Sequence, residues 1–378
     1  MKYLLTLGLL LTIHSAFTQN NPMNEVITSI QKKYAPDKRT AIFEVALSPD
    51  GHLTGKTNLP EAHQELLDHL NGQTITDEIR NLPDASLGEK TQAIVSVSVC
   101  NIRTAPKHSA ELATQALLGT PLTVYELDNG WYRVQTPDQY IAWVDQGAIH
   151  LVTPAKAENW QKVRKLIYLS PYGFSYSEPN TESQTVSDLV AGNLVEYKGE
   201  RKDFYEVAYP DGRKAFIRKR DTRFYNEWLA SLKISENSLV STSKRLMGLP
   251  YLWGGTSFKG VDCSGFTKTV YFLNGVVLPR DASQQVHSGE LVDETKQWQN
   301  LHPGDLLFFG KKNDDGSEKV VHVAMWIGNN QFIHSSNYVQ IGSVDPKAEN
   351  YDDYNVNRYL RSKRVLNNYQ NTLRLSPQ

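Results

Sequence analysis

Cysteine is nearly absent from this chain: 378 residues contain only Cys100 and Cys263. Two cysteines cannot build a disulfide framework of the kind that holds small exported domains together, so packed cores must carry the fold. Excess positive charge is also missing, with 40 Lys and Arg against 41 Asp and Glu. That balance gives no electrostatic reason to expect nucleic acid or an anionic membrane as a partner. Beyond the amino terminus no apolar run is long enough to span a bilayer. What remains is a polar sequence with 19 Tyr and 7 Trp, a composition suited to β-rich domains that handle polar ligands. Its length predicts two to four domains.

The amino terminus, "MKYLLTLGLLLTIHSAFTQNN", has Lys2, an apolar stretch from Leu4 to Ile13, and small residues at Ser15, Ala16 and Thr18. This is the pattern of a secretory signal peptide, 1–18, with cleavage expected before Gln19. No cysteine follows the apolar stretch, so a lipid-anchored terminus is not expected. The mature chain is predicted to be exported, periplasmic or secreted, and free of the membrane.

Residues 19–90 read as a small α+β lead-in. "MNEVITSIQKKY" has helical spacing, "TAIFEVALS" alternates as a strand, "SPDGHLTG" makes a turn, and "PEAHQELLDHL" is a helix opened by Pro60. No chemistry is apparent there. The next segment repeats itself at an offset of 73 residues: Pro106 matches Pro179, Gly119 matches Gly192, Tyr132 matches Tyr205, and Val134 matches Val207. Pro137-Asp138 matches Pro210-Asp211, Ala142 matches Ala215, and Val144 matches Ile217. Both copies carry short alternating strands broken by Asn-Gly, Pro-Asp or Asp-Gly turns, so two small antiparallel barrels are expected, over 91–155 and 156–228. "DTRFYNEWLASLKIS" reads as a connector into a last domain within 229–378. There "ENSLVSTSKRLMGLP" is helical up to Pro250, "CSGFTKTVYFLNG" is a helix ending at Gly275, and "DLLFFG", "HVAMWIG" and "QFIHSS" are strands. One helix followed by antiparallel strands is an α+β arrangement.

Cys100 lies in the alternating "SVSVCNIR" and reads as an inert strand residue. Cys263, in "GVDCSGF", falls at a predicted helix start after Gly260 and Asp262. Free cysteine is among the most buried residue types, so a purely structural thiol is the bland alternative. The position nevertheless suits acyl transfer. A helix amino terminus favours thiolate, and its free N–H groups can hold an oxyanion.

A thiol nucleophile needs a base, and the chain has ten histidines. His14 falls in the signal segment. His52, His63, His69, His108 and His150 lie outside the last domain, and His287 and His302 sit on polar stretches. His322 opens "HVAMWIG" and His334 ends "QFIH". If Gly328, Asn329 and Asn330 form the intervening loop, Ile327 pairs with Gln331 and Ala324 with His334. His322 then shares a face with His334 as its diagonal neighbour at about 7–8 Å. Such a pair fits a base and the group that orients it. Two His and one Cys lack a fourth ligand at any standard spacing, so neither metal nor cofactor is expected.

Taken together, "YLWGG", "DCSGF", "HVAMWIG" and "FIHSS" resemble the NlpC/P60 family of papain-like cysteine peptidases, over about 130 residues. The first barrel, with its "NIRTAP", resembles a bacterial SH3 (SH3b) domain, and the second is a more diverged copy. The resemblance implies Cys263 as nucleophile, His322 as base and His334 as the orienting residue. The whole arrangement is similar to the YkfC-like subgroup, γ-D-glutamyl-diamino-acid peptidases that release L-Ala-D-Glu from murein peptides. By that likeness Asp281 in "LPRDASQQ" holds the substrate's free amine, with Tyr251, Asp262 and Ser264 at other pocket positions. Glu111 in "AELATQALLG" and Tyr140 in "DQYIAWV" would complete the pocket from the first barrel. Ala282 stands where the subgroup has a serine, and the polar insertion "GKKNDDGSEK" is expected to lengthen a hairpin beside the cleft. A monomer acting on a murein peptide is expected. An endopeptidase of intact wall, anchored by its SH3b domains, and a non-catalytic wall-binding module are the competing readings.

Overall fold

The computed structural model describes residues 22–377, so the expected signal segment lies outside the described residues. Residues 22–81 form one unit and residues 82–377 another. In the first unit the helices Pro22–Tyr34 and Pro60–His69 cover a three-stranded sheet. Ile27, Ile30, Leu53, Leu66 and Leu70 fill the core between them.

Two sheets of seven strands open the second unit. The repeat governs them strand by strand. Val99–Arg103, Leu112–Leu117, Pro121–Asp128, Trp131–Gln135 and Ile141–Asp145 are followed 73 residues later by Tyr172–Tyr176, Thr185–Val190, Leu194–Arg201, Phe204–Ala208 and Lys214–Arg218. The order of strands across the two sheets is also the same. Asn129 and Gly130 both take positive φ (48° and 82°), the conformation that a two-residue hairpin turn demands. The segment expected to be a connector is used differently. Thr222–Phe224 is the last strand of the second sheet, paired with Lys165–Tyr168, and the short helix Tyr225–Ser231 follows it.

The remainder is built on the helix Cys263–Phe272, packed on a six-stranded antiparallel sheet. In spatial order the strands are Glu290–Asp293, Tyr359–Arg364, Leu306–Lys312, Glu318–Gly328, Gln331–Ser335 and Val339–Ser343. Cys263, Phe266 and Val270 of the helix Cys263–Phe272 share a core with Val323, Met325 and Ile333 of the sheet. The opposite face of the sheet buries Phe309, Ala324, Trp326, Phe332 and Tyr359 together with Val356. Both faces are therefore buried, which explains the nearly continuous apolar runs in these strands. The helix expected to reach Pro250 ends earlier, at Lys244, and turns carry the chain from there. Its start is a capping box between Ser235 and Ser238. The insertion lengthens the hairpin, with Lys312 paired to Glu318.

The first barrel is bonded directly to this domain. Gln115 Oε1 accepts from Thr256 N–H and Ser257 Oγ, both at 3.0 Å. Lys268 of the cysteine helix reaches Asp138 Oδ2 at 2.7 Å, with both side chains nearly buried. Gly254 lies so close to Leu112 that a Cβ would sit 2.3 Å from its carbonyl oxygen, and its φ is +79°. Only glycine meets both conditions.

Candidate active site

Asp262 places Cys263. It is the N-cap of the helix Cys263–Phe272, and its Oδ1 accepts from Gly265 N–H at 2.7 Å. Its Oδ2 accepts from Gly254 N–H at 2.9 Å, which ties the "YLWGG" loop to the helix start. The buried Arg280 closes the same carboxylate from below, with Nη2 to Oδ2 at 2.6 Å and Nη1 to Oδ1 at 3.2 Å. Arg280 Nη1 also donates to Ser264 Oγ at 3.0 Å. Burial works against the guanidinium charge, but the Asp262 carboxylate outweighs it and holds the proton more firmly than usual.

The Cys263 thiol is almost buried, and burial pushes it up to about 11, with Asp262 adding to the rise. Backbone N–H groups of Val323 and Ser264 and the Arg280 charge pull the other way. Burial and Asp262 thus oppose the thiolate that a helix amino terminus favours. Val323 follows His322 in sequence, so the thiol meets the sheet one residue from that imidazole.

His322 Nε2 and His334 Nδ1 are 2.9 Å apart. The expected register is found through the pairs Met325–Ile333 and Trp326–Phe332, which set Ala324 opposite His334. The turn differs from the one expected. Gly328, rather than Ile327, pairs with Gln331, and the strand bulges at Ile327. Asn329 and Asn330 tolerate positive φ (53° and 58°) and close a tighter two-residue turn. Each ring packs edge-on or tilted against its own phenylalanine, His322 on Phe309 and His334 on Phe332. Burial holds both imidazoles below the ordinary value; for His322 the neighbouring His334 and Arg358 add to the depression. For His334, Asp352 opposes the shift and Arg358 adds to it.

The sign of the resulting pH dependence is fixed. A depressed imidazole contributes stability that is full above its unfolded value of about 6.5 and is lost as pH falls toward the folded value. Thermal melts should therefore show stability declining below pH 6.5, by up to about 1.4 kcal/mol per pH unit for each imidazole. His334→Asn removes one titrating group and should flatten the decline; an unchanged slope would show that His334 is not held neutral.

The other sequence candidates fall around Arg280. Ser264 Oγ donates to Asp262 Oδ1 at 3.2 Å and is buried. Asp281 Oδ1 is 4.0 Å from Arg280 Nη1, and Asp281 is the N-cap of the short helix Ala282–Gln285. Ala282 is buried at the first turn of that helix. The Tyr251 phenol is held neutral by burial and by its proximity to Cys263 and Asp262. Tyr140, buried in the first barrel, lies near enough for its charge state to act on Arg280. Glu111 is exposed, and its Oε1 accepts from the Trp253 indole N–H at 2.6 Å. Glu111 is thus bonded to the loop before Cys263, and Tyr140 lies near the Arg280 that braces the helix start. Cys100 is fully buried in its strand, and burial raises its thiol.

Arg280, Trp253 and Asp352 escaped the sequence reading. Arg280 was legible in principle: it sits between an apolar run and a capping aspartate, beside a carboxylate that must be buried at a helix start. Among the described residues no group of three or more His, Cys, Asp or Glu side chains is arranged to hold a metal ion.

Residues 248–361 match the NlpC/P60 family model, and residues 102–149 match the bacterial dipeptidyl-peptidase SH3 domain. A Bacillus cereus protein named γ-D-glutamyl-L-lysine dipeptidyl-peptidase is 33% identical over 242 residues, covering 60% of this chain and 67% of its own. The chain belongs to the NlpC/P60 family. Dipeptidyl-peptidase 6 of Lysinibacillus sphaericus is 27% identical, and the match covers 68% of this chain and 94% of that protein. The crystal structure of an NlpC/P60 family protein from Bacillus cereus superposes with a TM-score of 0.62 at 27% identity, over 73% of this chain and 99% of the other. At 73% of this chain, the match is longer than the cysteine domain alone.

Proposed function

We propose that this NlpC/P60 protein is a cysteine peptidase acting on murein peptides that carry a free N-terminal L-Ala. It hydrolyses the bond between γ-D-Glu and the diamino acid and releases L-Ala-D-Glu. The names of its relatives support the reaction class. The observation that carries the free-amine requirement is the bond between Trp253 and Glu111, which brings a first-barrel carboxylate to the loop that Asp262 fixes beside Cys263.

In this reading His322 takes the thiol proton as Sγ attacks the γ-glutamyl carbonyl, since burial disfavours a free thiolate. The imidazolium formed is stabilised by the neighbouring oxyanion of the tetrahedral intermediate and by its bond to His334. N–H groups at the helix start face the developing oxyanion. His322 returns the proton to the leaving amine, and water, activated by the same imidazole, hydrolyses the thioester. Asp281 and Glu111 receive the substrate ammonium, with Tyr140 and Tyr251 walling the pocket. An acylated amine, as in intact wall, brings no ammonium to those carboxylates and is rejected. The amino-terminal pattern supports export to the periplasm or medium, and no helix among the described residues is long and apolar enough to cross a membrane.

Kinetics on a free and an N-acetylated L-Ala-γ-D-Glu-diamino acid peptide test the reading. Glu111→Gln should lower kcat/KM on the free peptide by roughly tenfold, the low end for a lost charge partner because Glu111 is exposed. Activity on the acetylated peptide should hold or rise. Tyr140→Phe should also weaken the free peptide selectively. If both variants match the wild type, the first barrel does not read the amine, and the wall-anchored endopeptidase gains.

A further inference from the structure

Two bonded histidines pose a problem that a His–Asn pair does not. One proton lies between His322 Nε2 and His334 Nδ1, and either nitrogen can own it. If His322 donates, its Nδ1 keeps a lone pair, the only ring nitrogen left for the thiol proton. If His334 donates, His322 carries its proton on Nδ1 and cannot act as a base. Something beyond the pair must decide.

Asp352 lies on the far side. Its Oδ2 is 3.8 Å from His334 Nε2, and both residues line one open cavity of about 470 Å³. The carboxylate is held in place: Oδ1 accepts from Asn355 N–H at 3.0 Å, Oδ2 from the Asn355 side chain, and Asp352 N–H donates to Ser343 O at 3.0 Å. The other charge near the pair is Arg358, bonded to Asn355 Oδ1 at 2.7 Å and lying over the Tyr354 ring. Arg358 opposes a fully protonated imidazole, while the Asp352 carboxylate favours a proton on the nitrogen that faces it. With burial holding His334 neutral, the carboxylate draws its single proton toward Nε2.

We propose that Asp352 is a positioning residue: facing His334 Nε2, it sets the tautomer of the two-histidine relay so that His322 Nδ1 is free to accept the Cys263 proton. This rests on the assignment of His322 as base. The order Cys263, His322, His334, Asp352 passes no net charge to Asp352. Its carboxylate biases where one proton sits before the reaction starts.

The test is nitrogen NMR of histidine-labelled full chain in a Cys263→Ala background, with and without Asp352→Asn. Asn retains the helix cap, so folding is preserved. With Asp352 in place, His334 should show a protonated Nε2 and an unprotonated Nδ1. Asp352→Asn should mix or reverse the two tautomers, and an unchanged pattern overturns the proposal. In the enzyme with Cys263, Asp352→Asn should lower kcat by about tenfold or more. In a His334→Asn background, where no tautomer exists, it should cost less than about twofold. Equal losses in both backgrounds would mean a structural role and would also overturn it. Full activity of His322→Ala would instead overturn the base assignment itself, a separate failure.

Discussion

Cys263→Ala should abolish hydrolysis, by on the order of 10⁴-fold or more in kcat, while the protein stays folded. The expectation has two parts. The thiol is the nucleophile in the proposed reaction, and the backbone N–H groups that remain can stabilise an oxyanion but cannot attack. Alanine, in turn, suits the first position of a helix, and the Asp262 cap that organises this start is untouched. His322→Ala should be nearly as severe, since a thiol buried this deeply needs a base to ionise it. His334→Ala should be milder, because in the proposed reaction His334 orients the base and does not move the proton. Steady-state rates on the free peptide, with melts to confirm folding, decide each point. Turnover by Cys263→Ala would end the nucleophile assignment. A greater loss from His334→Ala than from His322→Ala would reverse the two histidine roles.

The second large effect is on stability. Arg280→Met should cost about 3–5 kcal/mol, the usual penalty for removing one member of a buried ion pair. The reason is specific to Asp262. Arg280 is 1% exposed and contacts both carboxylate oxygens, while the N–H groups of Gly265 and Gly254 supply hydrogen bonds but no net charge. Without the guanidinium, a buried carboxylate at the helix start is left uncompensated. The capping bonds and the "YLWGG" loop should loosen with it, so activity should fall along with stability. Arg280→Lys keeps the charge but loses the two-pronged contact and should fall between the two. The melting temperature of Arg280→Met should drop by roughly 10 °C. A melt within a degree of the wild type would show that Asp262 does not depend on this partner.

Much of this site was readable before any coordinates because it is built from local rules. Asp262 and the glycines around Cys263 announce a helix start, and the cysteine can only be at its first turn. The offset of 73 residues predicts two sheets whose strands correspond one for one. Hairpin counting puts His322 and His334 on one face, and the bulge at Ile327 corrects the turn without disturbing their register. What was not readable is tertiary. Arg280 beneath Asp262, Asp352 behind His334, and Trp253 bonded to Glu111 each join residues from separate segments, and no periodicity links them. The state of the Cys263 thiol was equally hidden. A helix amino terminus and burial act in opposite directions, and only the packed core shows how deeply the thiol is buried. Lys268 lies between these cases. It sits on a helix whose neighbours on every side are buried, which signals that its charge must find a partner, and only the fold reveals that partner as Asp138.

The most direct test is the product of one digestion. The wild-type protein is incubated with L-Ala-γ-D-Glu-diamino acid peptide, with its N-acetylated form, and with intact murein, and the products are read by mass. The expected result is a single cut in the free peptide, giving L-Ala-D-Glu and the diamino-acid fragment, with the acetylated peptide and intact murein essentially uncut. Comparable cleavage of the acetylated peptide or the polymer, or a cut at any other bond, would contradict it.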